Sequence, residues 1–222
     1  MTTNKAQSIK RIKHAVDYWL IGPMVTEHIT LAGCTLAMEN KFACITVKPC
    51  YLRSAVSHLR GSNTAVGTIV GYPDGARTRH VKIAEVKHAL AEGAQELSLF
   101  LNLGYLLEGR EDAFTEAMQE LIGLVHMNGA ITKTILDCQY LSDEQLLRGT
   151  NILINSQTDL IYYFLDQSSS IAPTGLMTML KDNMRENLLG IVGNLNSKDD
   201  LAEVLNLGCA RIGFTELPAF LK

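Results

Sequence analysis

The sequence lacks any long apolar run, although 47% of its 222 residues are hydrophobic. A helix that crosses a bilayer needs about 20 consecutive apolar residues, so we expect neither a membrane-spanning segment nor a membrane partner. The first residues, MTTNKAQSIKRIKHAV, also lack the apolar centre of a secretory signal. These absences predict a cytoplasmic location.

Cysteine is scarce and scattered. No two cysteines form a Cys-x-x-Cys pair, and none has zinc-type spacing to a histidine, so we expect neither a disulfide framework nor a metal site. The glycine-rich patterns of nucleotide-binding loops are missing as well, and we expect no cofactor. The five cysteines are Cys34, Cys44, Cys50, Cys138 and Cys209.

Basic clusters are also few. The formal net charge is −3, and the basic run around Lys10, Arg11 and Lys13 is not accompanied by an interleaved aromatic and basic pattern. Nucleic-acid surfaces usually carry a basic stripe together with a recognisable binding motif. We interpret the run as a solvated helix face and expect no nucleic-acid partner.

The chain does contain a regular alternation of apolar β-rich runs and amphipathic helical stretches. Helical patterns over 81–92 and 111–127 end at Gly93 and Gly129, which suit left-handed helix caps. The runs predict strands at Ala15 to Leu20, Ala43 to Val47, Ala65 to Val70, Glu96 to Leu101, Ile131 to Leu136, Leu160 to Phe164, Leu189 to Val192 and Arg211 to Phe214.

Eight such strands favour an α/β fold, a closed (β/α)8 TIM barrel, over an open sheet that would need a Gly-x-Gly-x-x-Gly turn. We predict one domain over 1–222, with a short N-terminal helix at 1–14 and the barrel at 15–216. Function is then expected at the carboxyl ends of the strands. The candidate residues near these ends are Asp17, Lys48, Ser98, Lys133, Asp137, Tyr162, Val192, Asn194, Thr215 and Glu216.

Five stretches carry a family resemblance. DYWLIGP from Asp17 resembles an Asp-His-Thr-Leu-Leu-Lys-Pro opening, and FACITVKPCYL from Phe42 resembles a second strand with its Pro-Cys-Tyr turn. VGTIVGYPDGARTRHVKIAEVKHALAEGAQEL from Val66 matches most specifically, and KTILDCQYLSDEQL from Lys133 and LGCARIG, ending at Gly213, extend the match. Over 17–215 the chain resembles the deoxyribose-phosphate aldolase family, a class I aldolase barrel.

The resemblance implies cleavage of 2-deoxyribose 5-phosphate through an imine on a lysine, a reaction of deoxyribonucleotide catabolism. Three positions depart from that pattern: Tyr162 replaces the imine lysine, Val192 a second lysine, and Ser98 the aspartate of the proton relay. A phenol cannot form an imine with an aldehyde, and a hydroxyl without a nearby base cannot exchange protons as a carboxylate does. These departures predict the loss of Schiff-base chemistry.

The phosphate-binding turns implied by the resemblance are also altered. Asn194, Thr215 and Glu216 stand in or beside them, where the family has glycine-rich sequence. Unless Arg185 or Arg211 neutralises it, the carboxylate of Glu216 repels a phosphate. We therefore expect a degenerate substrate-binding site.

Asp17, Lys133 and Asp137 retain the family's residues, with Thr46 in place of a cysteine. Lys133 is either a relocated imine lysine or the ion-pair partner of Asp17 or Asp137, and we favour the ion pair. Lys48 is a second candidate amine that we interpret as a solvated loop lysine.

The leading hypothesis is a pseudoenzyme, a non-catalytic homologue that binds a small molecule or a protein partner. The alternatives are a divergent aldolase or lyase with Lys133 as its amine, and an assembly partner of another enzyme. The resemblance also implies a homodimer. A filled barrel mouth favours a scaffold, whereas an open mouth lined by Asp17, Lys133 and Tyr162 favours a small-molecule receptor.

Overall fold

The fold is a closed barrel of eight parallel strands in sequential order, in which the last strand pairs with the first. A computed structural model describes residues 11–165, 172–180, 189–193, 195 and 197–221. The predicted α/β barrel is therefore confirmed. Each strand pairs with the next one along the chain, as expected where a helical connection returns to the same sheet.

The strand positions agree with the predicted ones to within one residue at each end. Short, largely apolar runs with β-branched and aromatic residues account for this agreement, because such runs pack well on a pleated sheet covered on both faces. The strands are β1 (Val16–Leu20), β2 (Cys44–Val47), β3 (Ala65–Val70), β4 (Glu96–Phe100), β5 (Ile131–Asp137), β6 (Leu160–Phe164), β7 (Leu189–Val192) and β8 (Arg211–Phe214).

The described helices are α1 (Glu27–Asn40), α2 (Leu52–His58), α3 (Arg79–Ala91), α4 (Gly104–Leu107), α5 (Glu111–His126), α6 (Asp143–Asn155), α7 (Pro173–Leu180) and α8 (Lys198–Asn206). Gly93 and Gly129 adopt φ of 94° and 70°, as predicted for the ends of α3 and α5. Among the described helices, none has the length and apolarity required to span a bilayer.

The amino-terminal boundary differs slightly from the prediction. Residues 11–15 are helical and β1 begins at Val16, so Ala15 belongs to the helix rather than to the first strand. Residues 1–10 of the predicted N-terminal helix lie outside the described part of the chain.

Strand alternation divides the core into two layers. Outward-facing residues such as Leu97 and Tyr163 pack against the helices, and the Tyr163 hydroxyl contacts Thr150 Oγ1 at 2.8 Å. The inward-facing set forms a separate apolar cluster, here called the inner cluster: Trp19, Ile21, Ile69, Phe100, Ile135, Leu160, Tyr162 and Val192. The predicted separation of Tyr162 from Tyr163 is thus confirmed.

The loop after β3 depends on glycine. Gly75 has φ of 68°, its amide donates to Gly71 O at 2.8 Å, and its carbonyl accepts from Lys82 Nζ at 3.1 Å. A Cβ at Gly75 would collide with the carbonyl group of Leu101. This close approach holds the loop against the end of β4 and forms one wall of the barrel mouth.

Gly75→Ala is expected to destabilise the protein more than the control Gly109→Ala. Gly109 has nearly the same φ, 69°, but a Cβ added there would have no atom within 4 Å. The control loses only the left-handed preference, roughly 1 kcal/mol, while Gly75→Ala adds an overpacking cost of about 1–3 kcal/mol. Urea denaturation of both variants measures the difference. Equal losses would show that the loop does not rest on the Leu101 backbone.

Candidate functional site

A buried ion pair lies at the centre of the barrel. Lys133 Nζ, on β5, is 2.7 Å from Asp17 Oδ2 on β1, and both side chains are 0% exposed. The same ammonium lies 3.0 Å from Thr46 Oγ1 and 3.0 Å from Glu96 Oε2. The predicted pair of Lys133 with Asp17 is therefore present, and Glu96 is a second carboxylate in contact with the amine.

The charges of this cluster balance. Arg211 Nη2, on β8, lies 3.3 Å from Glu96 Oε1, so two carboxylates face two cations. Thr46 Oγ1 donates to Asp17 Oδ1 at 2.8 Å. We call Asp17, Thr46, Glu96, Lys133 and Arg211 the interior network. A charge buried without a partner would cost several kcal/mol, and balance explains how four charges are accommodated inside the barrel.

The network fixes the protonation of its members. Burial alone raises the pKa of Asp17, but the attraction and hydrogen bonds of Lys133, with those of Thr46, outweigh it and lower the pKa. Burial alone lowers the pKa of Lys133, but the attraction of Asp17 and Glu96 outweighs it and raises the pKa above the ordinary lysine value. Lys133 is therefore an ammonium at neutral pH, whereas a nucleophilic amine must be unprotonated.

Tyr162, which the resemblance aligns with the imine lysine, joins the network. Its side chain is 0% exposed, its hydroxyl donates to Asp17 Oδ2 at 3.1 Å, and its ring lies 5.8 Å from that of Trp19. Burial, reinforced by the charge of Asp17, raises the pKa of this phenol well above its usual value. Tyr162 therefore acts as a neutral hydrogen-bond donor.

The other two departures from the family pattern are also buried. Val192 is 1% exposed within the inner cluster. Ser98 is 0% exposed, and its Oγ has no hydrogen-bond partner among the described residues. Neither side chain can exchange protons with a substrate from these positions.

The ammonium of Lys133 lies among three side chains that could otherwise bind a metal ion. Donor atoms of Asp17, Cys44 and Glu96 lie within 4.8 Å of one another. Lys133 Nζ contacts all three, at 2.7 Å from Asp17 Oδ2, 3.5 Å from Cys44 Sγ and 3.0 Å from Glu96 Oε2. The ammonium is the cation of this donor set.

The structure corrects two positions assigned from the sequence. Asp17 was expected near the carboxyl end of β1, but it is the second residue of that strand and pairs in register with Cys44. Arg211 was considered as a neutralising partner of Glu216, but it pairs with Glu96 instead. Both residues lie deeper in the barrel than the mouth, because inward-facing residues at strand starts point into the interior.

The remaining predicted site residues lie away from the network. Asp137 ends β5, and its Oδ1 accepts from the Gln139 amide at 3.0 Å. Thr215 and Glu216 are exposed after β8. The pKa of Tyr18 is raised mainly by the burial of Tyr18 itself, and the charge of Glu216 raises it further. Asn194 and Arg185 lie outside the described residues.

A cavity of about 510 Å³ lies at the carboxyl ends of β3 to β6; we call it the mouth cavity. Asp137 lines it, but Asp17, Lys133 and Tyr162 do not. Phe100 and Ile135 belong both to its wall and to the inner cluster. The mouth is therefore open, but Asp17, Lys133 and Tyr162, which we expected to line it in a small-molecule receptor, do not. The inner cluster separates the cavity from the interior network.

Three important residues were not singled out from the sequence as site residues: Glu96, Arg211 and Trp19. Glu96 and Arg211 each stand in a predicted strand that is otherwise largely apolar, and a charge in such a strand is a usable signal, since buried charges need partners. Trp19 had no comparable signal.

Lys133→Met is expected to lower the free energy of unfolding by roughly 3–5 kcal/mol at pH 7, because it leaves buried carboxylates without their cation. Lys133→Met combined with Asp17→Asn should cost less than the sum of the two single changes. Urea denaturation of the three variants tests this. A cost of the single change below about 1 kcal/mol would contradict a tightly coupled network.

The contribution of Asp17 should depend on pH. Its folded-state pKa is lowered from 3.8, so its stabilisation is present above the unfolded-state pKa and is lost as pH falls through the folded-state pKa. The stability difference between wild type and Asp17→Asn should therefore be constant from about pH 5 to 7 and shrink below about pH 4. Asp112→Asn, on the exposed start of α5, is the control. A difference that does not change with pH would contradict the ion pair.

No family model matches this chain. The chain is 29% identical over 215 residues to the deoxyribose-phosphate aldolase of Caldanaerobacter subterraneus, covering 94% of this chain and 91% of the relative. It is 24% identical over 212 residues to that of Lactiplantibacillus plantarum, covering 95% and 99%. The solved deoxyribose phosphate aldolase of Aeropyrum pernix, described as tetrameric, shares the fold with a TM-score of 0.79 at 20% identity, covering 94% of this chain and 88% of that one. The chain is therefore similar along nearly its full length to proteins named deoxyribose-phosphate aldolase, and it shares the barrel fold of the solved one.

Proposed function

We propose that this protein is an aldolase-like barrel without Schiff-base activity that works as a non-catalytic binding or regulatory homologue. The observation that carries the proposal is Tyr162, a fully buried phenol hydrogen-bonded to Asp17 at the position of the imine lysine. A class I aldolase needs an unprotonated primary amine that the aldehyde can reach. Tyr162 offers neither an amine nor access.

The environment of Lys133 supports the same proposal. An imine lysine is commonly activated by a neighbouring cation or by desolvation, which lowers its pKa. Lys133 has two carboxylates in contact and a raised pKa instead. Val192 cannot supply the second positive charge, and Ser98 cannot act as the relay acid.

A divergent aldolase or lyase with Lys133 as its amine is the second candidate, and the names of the relatives favour it. In that mechanism the substrate would be deoxyribose 5-phosphate or a related aldehyde, with Asp17 or Asp137 as acid and base. The ammonium of Lys133 would have to lose its proton and leave its ion pairs. Lys48 is the other amine considered; its Nζ lies 5.4 Å from the ring of Tyr51.

Borohydride trapping with acetaldehyde, followed by peptide mass analysis, separates the two candidates. We expect Lys133 and Lys48 to be modified no more than exposed Lys87, which measures non-specific reductive alkylation. The pure chain should also not cleave deoxyribose 5-phosphate. An adduct on Lys133 or Lys48 above the Lys87 level, abolished by Lys133→Met or Lys48→Met, would establish the second candidate, and an authentic deoxyribose-phosphate aldolase is the positive control.

We also propose self-association as a homodimer, which the tetrameric state described for the Aeropyrum pernix relative supports by analogy. Light scattering coupled to size-exclusion chromatography of the purified chain should give twice the monomer mass. A monomer that binds another enzyme in a pull-down from native extract would instead support the role of an assembly partner.

A further inference from the structure

The mouth cavity has an aromatic wall. Tyr72, Phe100, Tyr140 and Phe164 all line it, and the rings of Tyr72 and Phe100 meet edge to face at 5.0 Å. Its volume of about 510 Å³ falls within the roughly 300–1,000 Å³ typical of small-molecule sites. The faces of aromatic rings carry negative electrostatic potential and attract cations.

Among the described residues of the wall, the charged groups are both carboxylates. The carboxylates of Asp74 and Asp137 line the cavity, and none of its described lining residues is lysine, arginine or histidine. Asp74 follows the cis Tyr72-Pro73 bond in the loop after β3, and Asp137 ends β5. The wall therefore disfavours phosphates and carboxylates and favours a positive ligand.

The rim of the cavity exposes apolar surface. Tyr140 is 61% exposed, Leu107 52% and Tyr72 37%, and all three border the cavity. Large apolar side chains gathered around one concavity are a mark of a binding site, whereas scattered ones are not. The rim adds an apolar contact surface to the aromatic and carboxylate wall.

From these observations we infer that the mouth cavity binds a small organic ammonium, a primary or quaternary amine on an aliphatic or aromatic body. The aromatic faces and carboxylates of Asp74 and Asp137 receive the cation, and Leu107 and Ile135 contact the body. The inference rests on the proposed binding function and names its ligand class. The site lies above the inner cluster, so the ligand does not touch the interior network.

The test is isothermal titration calorimetry of the full chain with three probes that share one body: 2-phenylethylammonium, 2-phenylethanol and phenylacetate. The ammonium should bind about tenfold more tightly than the alcohol, and phenylacetate should bind more weakly than either. Equal affinity for ammonium and alcohol, tighter binding of phenylacetate, or no heat with the ammonium up to about 10 mM would overturn the inference.

Variants assign the binding to this cavity. Asp137→Asn and Asp74→Asn should each weaken the ammonium severalfold and leave 2-phenylethanol unchanged, while Glu203→Gln, on the exposed face of α8, should change neither. Tyr140→Leu should also weaken the ammonium selectively, since it keeps an apolar side chain but removes the ring. Asp74 and Tyr140 are exposed, so these variants keep the test decisive should Asp137→Asn fail to fold. Unchanged ammonium affinity in Asp74→Asn and Tyr140→Leu would place the binding elsewhere.

The outcomes separate this inference from the proposed function. If the ammonium does not bind and no imine is trapped, the ligand class is wrong but the non-catalytic proposal stands. If an imine is trapped on Lys133 or Lys48, the proposed function falls whichever probe binds.

Discussion

The contact between Lys133 and Asp17 is the interaction on which the rest of the interior depends. It joins β5 to β1 across the barrel, and Glu96 and Arg211 extend it to β4 and β8. Buried charges are tolerated only when they balance and are hydrogen-bonded. Because the charges balance one another, these polar residues can lie in strands that are otherwise apolar. Replacing one of them leaves the others without a partner.

The same contact explains how the barrel accommodates Tyr162 where the resemblance implies a lysine. A lysine there would add a third cation to a balanced cluster, whereas the phenol adds only a donor, which Asp17 accepts. Its ring then packs with Trp19 and Val192 in the inner cluster. The polar interior is therefore a structural element, and the mouth cavity lies outside it.

The sequence predicts the fold well because strand and helix periodicities are local. Tyr162 and Tyr163 could be assigned to opposite faces from alternation alone, and Gly93 and Gly129 identified helix ends. The resemblance directed attention to Tyr162, Val192 and Ser98, which the structure places in the interior. The pairing of Lys133 with Asp17 could be stated only as one of two choices.

The parts that could not be predicted depend on relations between distant strands. Glu96 meets Lys133 and Arg211 only because the barrel closes, and nothing in a single strand specifies that meeting. The depth of Asp17 depends on where β1 begins, which sequence patterns locate to within a residue or two. The mouth cavity combines loops after β3 and β4 with the ends of β5 and β6, and its aromatic residues have no common local pattern.

The most direct measurement is the pKa of the Lys133 amine, followed by the ¹³Cε resonance of labelled lysine and assigned with Lys133→Met. An ordinary lysine is half deprotonated near pH 10.4. Our account predicts that Lys133 remains an ammonium at pH 10, because its carboxylate partners raise the pKa of the amine. A midpoint for Lys133 at or below about pH 8, in the range of catalytic amines, would contradict it.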